Sequence, residues 1–379
     1  MGEKKGLYGT WLVVLGIGIL LGLFTSVKLF IQGHWLFNTN DVLLWSLPLG
    51  VYIYLALTSS GLTLLAGVPL VLKVKKYEPF AKRLVFLAIS TLMGAFVAIG
   101  LELGSVQNMY WFLFSPNFSS PLMWMGLIYG AELVVLIVKF WRMHLGDWHS
   151  GFSNTLGVVS FLLALIAPLM IGSIFGITES RVTYFGPMMS VYSFVLGLLS
   201  GTALFLLYSM IVHRVTGNGI VERQTPLYNE FAVILTYVAG IAVVLSLVRI
   251  AIASATTVPE FLVYHKFEHA FGAFQGVQLE VLFGLVLPFV LLLIPLVRKS
   301  MVGKTVTSVL ILAGTLMKHM EILLAGQSHP VGPKLEQYPA FISYFPSIWE
   351  WLVFVFALAV MLLLYTLGER YLKLAEVPQ

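Results

Sequence analysis

Ten apolar runs of about 20 residues divide this chain, and their length restricts the fold before any motif is considered. A hydrocarbon layer about 30 Å thick requires about 20 helical residues, and lipid leaves backbone polar groups satisfied only in helices or closed barrels. Charged residues make up 10% of the chain, whereas soluble domains contain about 25%. The sequence therefore predicts an all-α integral membrane protein with about ten transmembrane helices. They would form a single polytopic domain over residues 1–379, and a five-plus-five helix repeat is compatible with the count.

The predicted spans follow one another with short connections. The eighth contains Pro288 and Pro295, which lack a backbone N–H and therefore predict a kink. The ten spans are Trp11–Phe30, Leu44–Leu72, Leu84–Leu103, Pro121–Phe140, Leu156–Ile177, Met189–Val212, Phe231–Ala253, Val277–Val297, Val306–Ala325 and Trp349–Leu367.

The 22 Lys and Arg residues are distributed unevenly around these spans. Sixteen lie on the side of the two termini, three lie on the opposite side, and three lie inside predicted spans. Cytoplasmic loops of membrane proteins are enriched in Lys and Arg, so both termini are predicted to be cytoplasmic. The net charge of +5 follows from this topology, and nucleic acid is not predicted as a partner.

Three predicted extracytoplasmic loops are aromatic and nearly uncharged: "MYWFLF" (109–114), "FLVYHKFEHAFGAF" (261–274) and "YPAFISYFPSIW" (338–349). Such segments form short amphipathic helices in the headgroup layer, or they form a surface on which an extramembrane protein docks. Both interpretations stay open. The candidate docking residues are Tyr110, Trp111, His265, His269 and Gln327.

Ionisable residues within the spans fall in the predicted outer part of the membrane. A charge in hydrocarbon is costly and is normally paired inside the bundle. Lys318 and Glu321 are three residues apart, which predicts a local ion pair on one helical face, whereas His319 points about 100° away. The residues in this outer part are Lys28, Glu102, Arg249, Glu280, Lys318, His319, Glu321 and Glu350.

Several candidates also have a simpler interpretation. Glu102 and Glu280 suit helix ends wetted by headgroup water, and Glu350 suits the membrane interface. His265 and His269 have a spacing that a metal site permits, but no third ligand is evident. They are therefore interpreted as an interfacial pair, and no metal site is predicted.

Two absences narrow the redox chemistry. The chain has no cysteine, which excludes thiolate zinc sites and cysteine-ligated iron–sulfur clusters. His319 is the one histidine well inside a predicted span, so a pair of facing histidines for haem b is not predicted. No Gly-rich phosphate loop is present either, which argues against ATP-driven chemistry.

Four short motifs resemble the NrfD family, the membrane subunits of polysulfide reductase and related respiratory complexes. "GAFVAIGLELG" (94–104) and "FSPNFSSPLMWMG" (114–126) are similar to its acid-Gly helix end and its Ser-Pro-Met-x-Trp-Gly helix start. "LEVLFGLVLPFVLLL" (279–293) and "HMEILLAGQ" (319–327) resemble its Glu…Gly…Pro helix and its Gly-Gln ending. "GSVQ" (104–107) and His319 depart from the Arg-Pro and the arginine that are common in the family.

Ten spans resemble the larger branch of that family, which includes membrane subunits of periplasmic hydrogenases, of the high-molecular-weight cytochrome complex, and DsrP. The resemblance implies a multi-pass subunit of a prokaryotic cytoplasmic membrane that has no redox metal of its own. Such a subunit binds menaquinone or another quinone near the outer face and belongs to a menaquinol:acceptor oxidoreductase complex. Its expected partners are membrane lipid, an extracytoplasmic iron–sulfur subunit of the ferredoxin type, and in some complexes a multihaem cytochrome.

Quinol oxidation releases two protons and two electrons, so a quinone site needs titratable groups at the ring oxygens. His319, Glu321 and Glu102 are hypothesised to line the headgroup site. Arg249 and Lys318 are expected to balance charge there.

Glu280 is hypothesised to lie on a route to the outer water. Glu132 approaches the midplane with Tyr129 one turn earlier, which suits either a proton path toward the cytoplasm or structural hydrogen bonding. Two other functions stay open. A secondary transporter would bind its substrate near the midplane at broken helices, and a structural anchor would use its polar residues only to hold helices together.

Overall fold

A computed structural model describes residues 2–179, 186–216, 224–255, 279–328, 330–339 and 342–376. Within these ranges nine helices are long and apolar enough to cross a membrane, and Leu279–Leu293 is a shorter apolar helix. The prediction of an all-α membrane protein of about ten helices is confirmed. The loop 261–274, with His265 and His269, lies outside the described residues.

The helices extend beyond most of the predicted apolar runs because their polar ends continue in the same conformation. The described connection between α3 and α4 contains the helical turn Trp111–Phe114. The helices, labelled in chain order, are α1 (Gly2–Gln32), α2 (Leu47–Leu70), α3 (Glu78–Glu102), α4 (Pro121–His144), α5 (Gly151–Gly176), α6 (Met188–Thr216), α7 (Thr225–Ala255), α8 (Leu279–Leu293), α9 (Met301–Ala325) and α10 (Ile348–Tyr371).

Helix starts follow the serine and proline residues of the sequence. Pro121 opens α4, where its missing N–H removes one unsatisfied donor. Ser150 and Ser300 cap α5 and α9, because their hydroxyls accept hydrogen bonds from the backbone N–H of Ser153 and Gly303. These local signals fix where the spans begin.

Helix α8 is irregular, as its prolines predict. Leu282–Val286 forms a π-helical turn, and Pro288 lies in the first turn of the α-helical part that follows it. The helix ends before Ile294, which has the extended backbone expected of a residue that precedes a proline, here Pro295. Pro295 therefore interrupts the predicted eighth span, whereas the helix continues through Pro288.

Helix α2 lies at the centre of the bundle and contacts α3, α5, α6, α9 and α10. It is buried on nearly all sides, as expected of a helix surrounded by protein. Its closest neighbour is α6: a Cβ on Gly61 would lie 2.1 Å from the carbonyl oxygen of Gly197. Small residues at this crossing allow the two backbones to touch.

The two chain ends lie at the same end of the bundle. The Trp11 indole donates a hydrogen bond to Thr366, and the Arg370 guanidinium lies over the ring of Tyr8. Arg83, at the start of α3, pairs with Glu369. We call this end the termini end, and we call the opposite end, where α3 and α9 finish, the site end.

Basic residues concentrate at the termini end, which agrees with the asymmetry predicted from the sequence. They occupy the starts of α3 and α9, the ends of α4 and α10, and the connections beside them. The described members are Lys73, Lys75, Lys76, Lys82, Arg83, Lys139, Arg142, Arg298, Lys299, Lys304, Arg370 and Lys373.

Candidate functional site

Four ionisable side chains from three helices contact one another in series near the site end; three are buried and Glu280 is partly exposed. Arg249 of α7 pairs with Glu321 of α9 at 3.1 Å, and Glu321 also pairs with Lys318 at 2.8 Å. Lys318 in turn contacts Glu280 of α8 at 3.3 Å. The local Lys318–Glu321 pair predicted from spacing is confirmed, and we call the four residues the ion network.

The ion network alternates in sign along its length: Arg249, Glu321, Lys318, Glu280. Two cations and two carboxylates sum to zero, so each charge in this poorly solvated region has an opposite neighbour. Removing one partner of such a pair leaves an uncompensated buried charge, which costs much more than the pair contributes. The network therefore fixes α7, α8 and α9 against one another.

Helix α6 contributes an aromatic wall to the ion network. The Arg249 guanidinium lies 6.0 Å from the ring centre of Tyr192, within the range of a cation–π contact. The Tyr192 hydroxyl is 2.7 Å from the Ser246 hydroxyl on α7. Sequence reasoning did not single out Tyr192 or Ser246, because neither carries a charge.

His319 faces away from the ion network and packs against Tyr54 of α2, with ring centres 5.9 Å apart. Its Nδ1 lies 2.6 Å from the carbonyl oxygen of Thr315. A carbonyl oxygen only accepts, so Nδ1 carries the proton and Nε2 of the neutral ring is an acceptor. This Nε2 is buried and has no hydrogen-bond partner among the described residues.

Glu102, at the last residue of α3, is held by Ser46 at the start of α2. Its two carboxylate oxygens accept hydrogen bonds from the Ser46 backbone N–H at 3.2 Å and hydroxyl at 2.6 Å. The Ser46 side chain thus binds a neighbouring helix and does not cap its own. Glu102 is partly exposed, in agreement with its position at a helix end.

Glu350, which the sequence predicts at the membrane interface, is 0% exposed and is enclosed by the protein at the start of α10. It closes a capping box with Ser347 and also accepts a hydrogen bond from the Asn38 backbone N–H. Tyr344 donates to Glu350 and accepts from the Leu47 N–H. Burial and the Glu350 carboxylate raise the pKa of the Tyr344 hydroxyl, which keeps it protonated as a donor.

Gln327, a candidate docking residue, has its side chain buried. Its amide oxygen accepts hydrogen bonds from the N–H groups of Leu44 and Trp45, and its amide nitrogen donates to Leu323. These contacts join the end of α9 to the segment that leads into α2. Its amide is therefore engaged within the chain.

The functional candidates on helix α9 point in different directions around the helix axis. Lys318 and Glu321 turn toward α7 and α8, whereas His319 turns toward Tyr54 of α2. The register of α9 thus determines both which side carries the charged residues Lys318 and Glu321 and which side carries the neutral acceptor His319. A shift of one residue would rotate each group by about 100° and would remove the contacts of all of them together.

The other candidate docking residues that the structure describes are exposed at the site end. Tyr110 and Trp111 are 51% and 53% exposed, and their ring centres lie 4.9 Å apart. Phe112 turns inward instead: a Cβ on Gly126 would lie 2.4 Å from its ring. The segment thus has one aromatic ring, Phe112, packed on α4, and three, Tyr110, Trp111 and Phe114, facing outward.

Glu132 and Tyr129 lie deeper, on α4 near the middle of the bundle, and both are fully buried. The Ser60 hydroxyl of α2 donates to Glu132 Oε2 at 3.4 Å, and the rings of Tyr52 and Tyr129 pack edge to face. Glu132 Oε1 and the Tyr129 hydroxyl have no hydrogen-bond partner among the described residues. Both atoms are thus open to a bound water or proton carrier.

The structure therefore separates the predicted residues into the ion network and three contacts with α2. Arg249, Lys318, Glu321 and Glu280 are brought together in the ion network. Glu102, His319 and Glu132 contact α2 at three different levels, and Glu132 itself lies on α4. Across the described ranges, no group of three or more His, Cys, Asp or Glu residues is arranged to hold a metal ion.

Comparison with known proteins gives a family match over most of the chain. The model of the family described as Polysulphide reductase, NrfD matches residues 35–331. A protein of Archaeoglobus fulgidus, named Hdr-like menaquinol oxidoreductase integral membrane subunit, is 22% identical over 335 residues, or 83% of this chain and 81% of that protein.

A second relative, from Halobacterium salinarum, is named as a membrane subunit of dimethyl sulfoxide reductase. It is 26% identical over 228 residues, which are 54% of this chain. The chain spans about half the length of this relative, 52%.

The ion network predicts a non-additive pair of substitutions. Arg249→Leu leaves two carboxylates facing one lysine, and we expect it to lower the free energy of unfolding by about 3 kcal/mol. Arg249→Leu combined with Glu321→Leu leaves the neutral pair Lys318–Glu280, so the double variant should be more stable than Arg249→Leu alone. Reversible unfolding in mixed detergent micelles measures both values.

Lys28→Leu is the control for loss of a cation within a helix, because the Lys28 ammonium lies over the exposed ring of Phe24 near a helix end. It should change stability little. Equal losses in the free energy of unfolding for Arg249→Leu and for the double variant would contradict charge compensation within the ion network.

Proposed function

Because this chain belongs to the polysulphide reductase family NrfD, we propose that it is the quinone-exchanging membrane subunit of a respiratory oxidoreductase complex. Both relatives are named as membrane subunits of oxidoreductases, and one name specifies menaquinol. Menaquinone is therefore the proposed carrier. A DsrP-like place in a sulfur- or sulfite-linked electron-transfer complex is the finer proposal.

The observation that carries this proposal is the buried, unpartnered Nε2 of His319, which has no hydrogen-bond partner among the described residues. An unsatisfied acceptor in a low-dielectric interior costs free energy, so the site favours a ligand that offers a hydroxyl there. The Thr315 carbonyl fixes the ring so that this nitrogen is the acceptor. A quinol hydroxyl has the complementary donor.

A bound quinol supplies two electrons and two protons at its ring oxygens. His319 is proposed to accept one proton at Nε2, which makes the ring a cation. The ion network lies on another face of α9, and its four residues have no net charge.

Glu102 is proposed to pass protons to water at the site end. Ser46 holds both carboxylate oxygens, so the group keeps one orientation, and its partial exposure gives it access to water. Glu280 is a second group for the same route, since its side chain is 13% exposed.

The site end is proposed to face the extracytoplasmic side, since the basic termini end suits the cytoplasm. An iron–sulfur subunit is proposed to dock on the exposed rings of Tyr110 and Trp111, where it would exchange electrons with the quinone. Some complexes of this kind would add a multihaem cytochrome. His265 and His269, which lie outside the described residues, are also proposed to contribute to this docking surface.

A proton path toward the termini end is proposed through Glu132 and Tyr129. Buried hydroxyls of α2 support it, because Ser59, Ser60 and Thr63 lie at most 2% exposed beside this level of the bundle. Polar atoms on Glu132 and Tyr129 that lack a partner among the described residues offer hydrogen-bonding positions to water. Turnover through such a path would be electrogenic.

His319→Ala should lower menaquinol turnover of the purified complex by about 100-fold, because it removes the proton acceptor. Stopped-flow or steady-state menaquinol oxidation measures the rate. His149→Ala, at the exposed loop beside Glu78 of the termini end, is the matched control and should leave the rate unchanged. Full turnover by an assembled His319→Ala complex would remove this histidine from the site.

Trp111→Asp should reduce recovery of a co-purifying iron–sulfur protein in mild detergent, because it places a charge in the proposed apolar contact. Trp141→Asp is the matched control: Trp141 is 59% exposed but lies near the end of α4 at the termini end. Quantitative mass spectrometry of the purified complexes gives the ratio. An unchanged ratio for Trp111→Asp would reject this docking surface.

Glu132→Gln should preserve menaquinol oxidation but abolish the release of protons on the termini side that is coupled to it. The carboxamide keeps the shape of the carboxyl group but does not take up or release a proton near neutral pH. Proteoliposomes with a pH-sensitive dye inside measure protons per electron, and Glu336→Gln, on an exposed residue of the site end, serves as control. An unchanged ratio in Glu132→Gln would leave Glu132 with a structural role only.

A further inference from the structure

Helix α4 turns one row of side chains toward the rest of the bundle, and this row includes a lysine that has no role in the proton path proposed above. Its members are three and four residues apart, as expected of one face of a helix. Each of them is at most 1% exposed. In order toward the termini end they are Tyr129, Glu132, Leu136, Lys139 and Met143.

Lys139 lies on the same side of α4 as Glu132 and closer to the termini end. Seven residues separate the two, which corresponds to nearly two turns and to about 10 Å along the helix axis. Leu136 lies between them, so bound water is required to join the two groups. The row therefore places one carboxyl group near the middle of the bundle and one amine near its end.

Three neutral oxygens surround the Lys139 ammonium. It donates hydrogen bonds to the Ser153 hydroxyl at 2.7 Å, to the Ser153 carbonyl at 3.0 Å and to the Trp148 carbonyl at 3.1 Å. These contacts use all three ammonium protons. The lysine is thus held by dipoles of the connection between α4 and α5 and of the first turn of α5.

No ion pair within the described ranges includes Lys139. Lys82, which is equally buried, pairs with Glu376 at 2.7 Å. Asp147, in the connection that holds the Lys139 ammonium, pairs with Arg142 instead. A buried lysine that no carboxylate holds as a cation can alternate between the ammonium and the neutral amine.

The connection around Lys139 leads to water at the termini end. The carbonyl of Trp148 binds the ammonium, and His149, the next residue, is exposed. The Ser153 hydroxyl, which also contacts the ammonium, donates to the Asp147 carbonyl at 2.9 Å. Lys139 is therefore buried itself, whereas the segment that binds it reaches the surface.

Gly157, one turn after Ser153 on α5, leaves space beside the lysine. A Cβ on Gly157 would lie 3.8 Å from the Val71 side chain and 4.0 Å from Cε of Lys139, which are ordinary contact distances. The absence of a methyl group there gives the lysine side chain room to move. An alanine would fill this space without a clash.

We propose that Lys139 is the proton-release residue at the termini end, an inference that rests on the proposed path through Glu132 and Tyr129. The protonated carboxyl group of Glu132 gives its proton through bound water to the neutral amine of Lys139, which becomes an ammonium. The ammonium then gives one proton to water beside the connection between α4 and α5. Each transfer breaks one O–H or N–H bond and forms one at the acceptor, so no other reactant is needed.

Lys139→Arg and Lys139→Met separate proton release from structural support. Arginine keeps the positive charge and the donors but does not lose its proton near neutral pH, and methionine has no proton to give. Both variants should slow proton release on the termini side by about 100-fold, the lower range for a lost acid–base group. Proteoliposomes of the complex with a pH-sensitive dye on the termini side measure this release after a pulse of menaquinol. The rate of menaquinol oxidation is recorded in the same sample.

Lys304→Met is the matched control, because Lys304 is also fully buried at the termini end but lies on α9. Its ammonium contacts the side-chain oxygen of Asn229 at 2.7 Å and the Lys299 carbonyl at 2.9 Å. It should release protons at the wild-type rate. Gly157→Ala leaves every contact of Lys139 in place and should also slow release, because its methyl group fills the space beside the lysine.

Proton release at the wild-type rate in Lys139→Arg would overturn the inference, because a cation with hydrogen-bond donors would then be sufficient. If neither Lys139 variant assembles, unchanged release in Gly157→Ala would overturn it. Equal slowing in Lys139→Met and Lys304→Met would assign the effect to the loss of any buried cation at this end.

The proposed path and this inference fail in different ways. Loss of release in Glu132→Gln, together with wild-type release in both Lys139 variants, would keep the path and reject Lys139 as its last group. A wild-type complex that oxidises menaquinol and releases no protons on the termini side would refute the path itself, and the role of Lys139 with it.

Discussion

Charge compensation inside a lipid-embedded bundle is the constraint on which this arrangement depends. Arg249, Glu321, Lys318 and Glu280 are mostly buried, and each lies within 3.3 Å of an opposite charge. Because lipid offers no water to solvate a lone ion, these four residues determine how α7, α8 and α9 approach. The π-helical turn of α8 begins two residues after Glu280, and Gly284 lies against Gly314 of α9. The ionic contact and the backbone contact therefore reinforce the same packing of α8 on α9.

The sequence predicted the features that depend on local spacing. Apolar length gave the spans, a three-residue interval gave the Lys318–Glu321 pair, and Pro295 marked the break after α8. Contacts between distant segments were not predictable in the same way. Ser46 meets Glu102 across 56 residues, and Tyr54 meets His319 only after α2 and α9 pack. The periodicity of apolar residues within one helix gives no information about which residues of other helices it contacts.

Glu350 is a different case, because a local signal was present. Ser347 and Glu350 have the Ser-x-x-Glu spacing of a capping box just before an apolar run. The neighbouring tryptophans favoured the interfacial interpretation, but the carboxylate is fully buried and receives hydrogen bonds from Asn38, Tyr344 and Ser347. Glu102 at the same end is partly exposed, so burial separates a structural carboxylate from one that water can reach.

Helix α2 is where the two proposed routes separate. Its first residues meet Glu102 at the site end, Tyr54 meets His319 about two turns on, and Ser60 meets Glu132 nearer the middle. These contacts lie on different sides of one helix that is surrounded by protein. Protons released at the level of His319 therefore have a short way to the partly exposed Glu102 and a longer one along buried hydroxyls to Glu132. The proposed docking surface of Tyr110 and Trp111 lies at the site end, so the proposed electron route follows only the first direction. The same geometry that makes α2 a central packing element thus makes it the point at which proton and electron movement can diverge.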